Sequence, residues 1–382
     1  MLMYLCPALM DWLLFFVFFA VFYSAGIRGL SMHECAVLGI LIQVAYMIFS
    51  LVAGHLLNRR NAKTILLAST SAAGIFGIWS LYTEQFGILL TVLMLLGVSA
   101  AFFFNSFQTF MRGEAEPGEL KNSVASYTLA WSLGAAFGNI TAGYLYKWGL
   151  PVMIATVAAV VGLVMILLLR HRTKDSGTAS ADEHIEEGSS NARKVSPSYV
   201  LIGWFMIFTV TFVQRPLCTF LPPMFAHEKI GSLMASMPLF AHMAVQALFG
   251  LAMIRFRDIL YRRTPFWIIQ GVGALAFCTI WVWPSYTVCF AVLMLLGVYA
   301  GFAYYCAVYY ASNSGRRSFN IGINEALVGL GSIAGIFFGE WWMRVSGSES
   351  GIYLVCSVGL VLSMFAQVLI ATSANNSSPN KS

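Results

Sequence analysis

The heptapeptide VLMLLGV stands at Val92 to Val98 and again at Val292 to Val298, 200 positions further on. The likeness extends into the flanks, where TVLMLLGVSAAFFFNSF lies beside AVLMLLGVYAGFAYYCA. A second pair, LGAAFG at Leu133 to Gly138 and LGSIAG at Leu330 to Gly335, repeats at an offset of 197. Two stretches recurring at nearly one offset mark a chain written as two copies of one half.

Each copy is built of long apolar runs. Of 382 residues, 59% are hydrophobic and 10% charged, whereas soluble domains carry about a quarter charged residues. Such a chain sits mostly in lipid. A hydrocarbon core of roughly 30 Å needs about 20 apolar residues per helix, and runs of that kind fall at 8–27, 35–57, 64–83, 86–111, 122–146, 149–170, 198–221, 232–254, 264–284, 286–311, 319–343 and 350–371. The expected fold class is an all-α membrane protein of twelve transmembrane helices. The alternating ten-residue segments of a membrane barrel are not found. The opening MLMYLCPALMDWLLFF has no basic n-region and no small-residue cleavage site follows it, so it reads as a retained helix rather than a signal peptide.

Between the sixth and seventh runs lies RHRTKDSGTASADEHIEEGSSNARKVSPS, polar and almost free of large apolar residues. Such a stretch cannot bury enough surface to offset its ordering entropy, and it reads as a linker. The expected domains are a bundle of six helices over 1–170, a cytoplasmic linker over 171–197, a second bundle over 198–371 and a cytoplasmic tail over 372–382. Six crossings separate the copies, so both begin on the same side of the membrane and form a parallel repeat about an axis along its normal. Lys and Arg crowd one side: Arg59, Arg60, Lys63, Arg112, Lys121, Arg170 and Arg172 fall there, against only Arg28, Lys147, Lys229 and Arg344 in the opposite loops. The excess of positive charge is cytoplasmic, which puts both termini inside, in the inner membrane of a cell. The net charge of +6 is then a signal of topology, and nucleic acid is not expected as a partner. Seven scattered cysteines without C-x-x-C or C-x-x-H spacing read as small apolar side chains. No metal spacing, phosphate loop, nucleophile elbow or catalytic carboxylate pair is present, so neither a cofactor nor an enzyme activity is expected.

Between the second and third runs the chain reads GHLLNRRNAKTILL, Gly54 to Leu67. This resembles the loop motif G-x-L-[AS]-D-R-x-G-R-[KR] of the major facilitator superfamily, with Gly54, Leu56, Arg59 and Lys63 at its positions, Asn58 in place of its Asp and Asn61 in place of its second Gly. The second half repeats it as IRFRDILYRR, where Asp258 keeps the acid and Arg262 and Arg263 the basic pair. The resemblance implies two rocking bundles around a central cavity, with this loop as an inner latch near the start of helix eleven. Asn58 would accept a hydrogen bond there without supplying charge. The alternative is that the basic residues only hold the loop inside. GAAFGNITAG, Gly134 to Gly143, is similar to a helix-five pattern of proton-coupled antiporters, but Asn139 and Ala142 replace its Pro and one Gly. Gly134 and Gly138, with Gly331, Gly335 and Gly339 in helix eleven, read first as sites of close helix packing.

Polar side chains inside spans are costly and face the bundle interior, so each is a candidate for binding a solute. Gln43 and Tyr46 share one face of helix two, and His242 and Gln246 share one of helix eight. Asn105 and Gln108 belong to helix four, Tyr304 and Tyr305 to helix ten. Arg215 is the one basic residue well inside a span. It either snorkels or pairs with an acid, or attracts an anionic substrate group. Glu325, on the small polar face of helix eleven, is either a structural hydrogen-bond partner or a group that couples a proton or binds the substrate. The resemblance points to a secondary active or facilitative transporter of a small organic solute, working by alternating access as a monomer and without a cofactor, its partners being that solute, a coupling proton and the bilayer. The alternatives are proton-coupled efflux of amphipathic compounds and a non-transporting membrane sensor or scaffold of the same fold.

Overall fold

The computed structural model describes residues 4–58, 60–114, 120–171, 197–253, 255–256, 259, 262, 264–312 and 317–376, with side chains throughout except at 111–114, 120–124, 197, 311–312, 317–322 and 371–376. Arg59, Asp258 and Arg263, most of the expected linker and the end of the expected tail lie outside the described residues.

The described residues form twelve α-helices. They are α1 Leu5–Ile27, α2 Met32–Leu56, α3 Ala62–Tyr82, α4 Phe86–Glu114, α5 Leu120–Leu145 and α6 Leu150–Arg170, then α7 Pro197–His227, α8 Ser232–Ala252, α9 Thr264–Val282, α10 Tyr286–Ser312, α11 Arg317–Ser346 and α12 Gly351–Asn376. Eleven are long and apolar enough to cross a membrane. The other is α5, whose buried Thr128, Ser132 and Asn139 lower its apolar content. Local chemistry sets the ends. Ser31 and Glu34 form a reciprocal capping box at the start of α2, and Gly149, at φ 85°, turns the chain into α6 with Pro151 in its first turn.

The helices pair alike in both halves. In the first, α1 packs on α5, α2 on α4 and α3 on both α4 and α6. In the second, α7 packs on α11, α8 on α10 and α9 on both α10 and α12. Between the halves, α2 meets α11, α5 meets α8 and α1 meets α7, the pattern of a two-fold axis running between α1 and α7. The glycine of the doubled heptapeptide explains its recurrence. A Cβ at Gly97 would lie 2.6 Å from the Ile42 carbonyl oxygen, and one at Gly297 2.5 Å from that of His242, 200 positions on. Only glycine lets α4 and α10 close this far on α2 and α8.

The same holds on the second seam. A side chain at Gly134 or Gly138 would collide with the Ala8 or Trp12 carbonyl of α1, and one at Gly331 or Gly335 with the Phe208 or Phe212 carbonyl of α7. Ala8 and Trp12 are the positions that precede Phe208 and Phe212 by 200. Pro216 also denies the Phe212 carbonyl its helical N–H, and the Gly335 backbone closes on that oxygen. Gly339 differs, since a Cβ there would make only ordinary contacts.

The halves are sealed to one another on the side away from the linker. Tyr23 Oη donates to the Ile230 carbonyl at 2.8 Å, and Ser232 Oγ to that of Gly143 at 2.8 Å. A Cβ at Gly26 would lie 2.6 Å from Pro223 Cα, so α1 and α7 touch backbone to backbone. Glu340 of α11 holds His33 of α2 at 3.1 Å and Arg344 at 3.4 Å. Beside this seal, burial and then the neighbouring Glu349 keep the Glu228 carboxyl above its ordinary range. All seven cysteines are free.

On the linker side the α2–α3 connection stands clear. Gly54 has nothing within 4 Å of a Cβ position, and His55, Leu56, Asn58 and Arg60 are exposed. Asn58 Oδ1 accepts from the backbone N–H groups of Arg60 and Asn61, both at 3.0 Å, while Asn61 Oδ1 accepts from Asn58 N–H at 2.8 Å. The acceptor expected to reach helix eleven is therefore used within its own turn. Lys63 Nζ donates to the His171 carbonyl at 2.8 Å, capping α6 of the same half. Arg262 is exposed.

Candidate functional site

Below the seal, between the halves, lies a cavity of about 100 Å³. Its walls are aromatic: Phe15, Phe18, Phe104 and Trp131. Its polar groups come from both halves: Asp11, Gln43, Tyr46 and Tyr127 from the first, Arg215, Tyr304, Asn324 and Glu325 from the second.

Glu325 bridges the two. Tyr46 Oη donates to its Oε2 at 2.9 Å, and Gln108 Nε2 to its Oε1 at 3.2 Å. Both donors belong to the first half, so the carboxylate of α11 ties α2 and α4 to the opposite bundle. Each oxygen accepting a hydrogen bond is the arrangement that suits an ionised carboxylate.

Arg215 is half-buried, and its guanidinium carbon lies 5.4 Å from the centre of the Phe15 ring. That is cation–π range. Phe15 is the position 200 residues before Arg215, so the two meet as repeat counterparts across the axis. Among the described residues no side chain or carbonyl takes a hydrogen bond or ion pair from the guanidinium, and its Nε is cut off from solvent. Asp11 is 7% exposed, one helical turn before Phe15, and accepts no hydrogen bond from the described residues. Asn324, 3% exposed, leaves Oδ1 without a donor.

Tyr304 links the cavity to a buried network. Its hydroxyl donates to Gln214 Oε1 at 2.7 Å. Gln214 Nε2 in turn donates to His242 Nε2 at 2.7 Å and to Gln246 Oε1 at 2.8 Å, while Gln246 Nε2 donates to Ser132 Oγ of α5 at 2.8 Å. His242 Nδ1 lies 3.1 Å from the Leu293 carbonyl, which can only accept. Nδ1 therefore carries the proton and Nε2 accepts, as in a neutral imidazole. Every polar atom of the chain from Tyr304 to Gln246 is thereby matched.

Of the residues singled out from sequence, Gln43, Tyr46, Arg215, Tyr304 and Glu325 line one cavity, and Gln108 touches it through Glu325. His242 and Gln246 are buried beside it, spent on the network. Asn105 donates to the Ala101 carbonyl of its own helix at 2.8 Å, and Tyr305 stacks on Tyr309. Sequence reading passed over Asp11 and Gln214. Asp11 is the fourth residue of the apolar run 8–27, whereas α1 begins at Leu5 and carries it a turn and a half inward. Among the described residues no cluster of His, Cys, Asp or Glu could hold a metal ion.

The family model described as Major Facilitator Superfamily matches residues 1–314. The chain belongs to that superfamily. It is a multi-pass membrane protein with the superfamily's transporter fold, two six-helix bundles around a central cavity. Among 255 similar solved chains, one described as the crystal structure of a D-xylose-proton symporter has a TM-score of 0.69 over 94% of this chain and 95% of its own. At 14% identity that likeness is one of fold. No curated protein matches the sequence significantly.

Proposed function

We propose that this protein is a secondary transporter that moves a small organic solute by alternating access, and that the solute presents an anionic group to Arg215. The observation that carries the reading is the guanidinium itself: a charged fork facing the cavity with no hydrogen-bond or ion-pair partner among the described residues. Burying such a group uncompensated is costly, and a carboxylate or phosphate is its geometric complement. The aromatic walls provide apolar area for the rest of the solute. The seal away from the linker, with the cavity below it, fits one end state of a rocking cycle. The termini and linker are read as cytoplasmic, and the bilayer as a cell's inner membrane.

The test is counterflow by the purified protein in liposomes, across a panel of carboxylate- and phosphate-bearing solutes and their neutral counterparts. Flux of the anionic member of a pair is expected, and Arg215→Gln should reduce it about tenfold to a hundredfold, the equivalent of one lost charge-assisted hydrogen bond. Equal flux of the neutral counterpart, or an unaffected Arg215→Gln, would overturn the reading.

A second reading, proton coupling at Glu325, is favoured by that carboxylate's place across the two halves. Glu325→Gln would then abolish proton-driven accumulation and spare exchange. Loss of both activities in a well-expressed variant would assign Glu325 to binding or gating.

A further inference from the structure

The cavity holds three ionisable side chains, and only one of them receives hydrogen bonds from the described residues. Glu325 receives Tyr46 and Gln108. Arg215 and Asp11 have no hydrogen bond or ion pair among the described residues, although each lies within electrostatic reach of the other. Asp11 stands four residues before Phe15 on α1, about 6 Å along the axis, and Phe15 carries the ring on which the guanidinium rests. An unmet donor, Arg215 Nε, and an unmet acceptor, Asn324 Oδ1, accompany the two charges.

Each class of solute leaves a different remainder when the cavity closes over it. A neutral solute leaves an arginine and an aspartate desolvated with no hydrogen bond to either. A simple anion satisfies Arg215 and leaves Asp11, with Asn324 Oδ1 still lacking a donor. A simple cation does the reverse. A molecule with a carboxylate and an ammonium group a few bonds apart meets both charges and both orphan atoms, the carboxylate accepting from Arg215 and the ammonium donating to Asp11 and Asn324.

We propose that the transported solute is zwitterionic, of the amino-acid class, with its carboxylate at Arg215, its ammonium at Asp11 and its side chain against the aromatic wall. This rests on the anion reading of Arg215 given above and adds Asp11 as the residue that sets specificity. Electrostatic complementarity of this kind discriminates strongly, because the wrong solute leaves a buried charge without a partner.

The test uses the purified full-length protein and thermal stabilisation titrated with three matched sets: alanine, propionate and ethylamine; leucine, 4-methylpentanoate and 3-methylbutylamine; phenylalanine, 3-phenylpropionate and 2-phenylethylamine. In at least one set the amino acid should bind about tenfold or more tightly than either single-charge analogue. Asp11→Asn should collapse the ratio of amino acid to acid, and Arg215→Gln the ratio of amino acid to amine. Should either variant fail to fold, the wild-type ratios decide alone. No set in which the amino acid exceeds its acid analogue would overturn the proposal. If acids then bind as tightly as amino acids and Arg215→Gln removes both, the zwitterion fails while the anion reading stands. If Arg215→Gln leaves acid binding intact, the anion reading falls as well.

Discussion

Replacing Gly97 or Gly297 by alanine tests whether the doubled heptapeptide is a packing element. The added Cβ would stand 2.6 Å from the Ile42 carbonyl oxygen in the first case and 2.5 Å from that of His242 in the second. Ordinary contact begins near 3.4 Å, so each helix pair must part by about 0.8–0.9 Å. A backbone carbonyl within a helix cannot rotate away as a side chain would. A gap of about 0.5–1 Å forfeits a quarter to a half of the dispersion energy at each contact along a seam, and overpacking costs about 1–3 kcal/mol. Alanine returns up to about 1 kcal/mol through helix propensity. The net expectation is a loss of about 1–2 kcal/mol for each variant, with the two adding in the double variant because the sites lie in different halves. Gly162→Ala and Gly271→Ala, where nothing lies within 4 Å, should be neutral or stabilising by up to about 1 kcal/mol. Unfolding in mixed micelles, followed by tryptophan fluorescence, gives all five values. A Gly97→Ala protein as stable as Gly162→Ala would refute the argument, and so would a large cost in one half with none in the other.

The buried network offers a graded series. Gln214→Leu strips partners from Tyr304, His242 and Gln246 at once and should cost at least about 3 kcal/mol, whereas Tyr304→Phe leaves only Gln214 Oε1 unmet and should cost about 1–3 kcal/mol, measured in the same unfolding assay. Equal costs would mean that Gln214 is not the hub. For the topology, protease added to intact cells should spare the segment around Asp182, and protease added to inverted vesicles should cut it. Cutting in intact cells would reverse the orientation read from the Lys and Arg asymmetry.

The twelve spans and their division into two copies were legible because lipid demands long apolar runs and duplication leaves an offset. The cavity was legible where a residue is expensive in lipid whatever it faces: Arg215 and Glu325 announce themselves by charge. Periodicity did less. Spacing of four places His242 and Gln246 on one face of α8 but does not say which neighbour that face meets, and it meets Gln214 rather than the cavity. Gln214 itself carried no signal, since a lone amide beside an arginine has no pattern to read. Asp11 lies deeper than the apolar run suggests, because α1 starts three residues earlier. The loop motif was legible as sequence, yet Asn58 bonds within its own turn in this conformation.

The meeting of Phe15 and Arg215 has a consequence for how such a protein can diverge. A residue lying on a symmetry axis faces its own counterpart, so in a chain of two identical halves any charge placed there would confront a like charge, at several kcal/mol in a medium of low permittivity. Positions away from the axis escape this constraint. A cation could therefore stand at the centre of this molecule only where the two copies do not match, one side carrying a ring and the other the guanidinium that rests on it. Polarity at the middle of the transporter is in this sense a product of broken likeness, and the partner that tolerates the charge is the charge's own counterpart in the other copy.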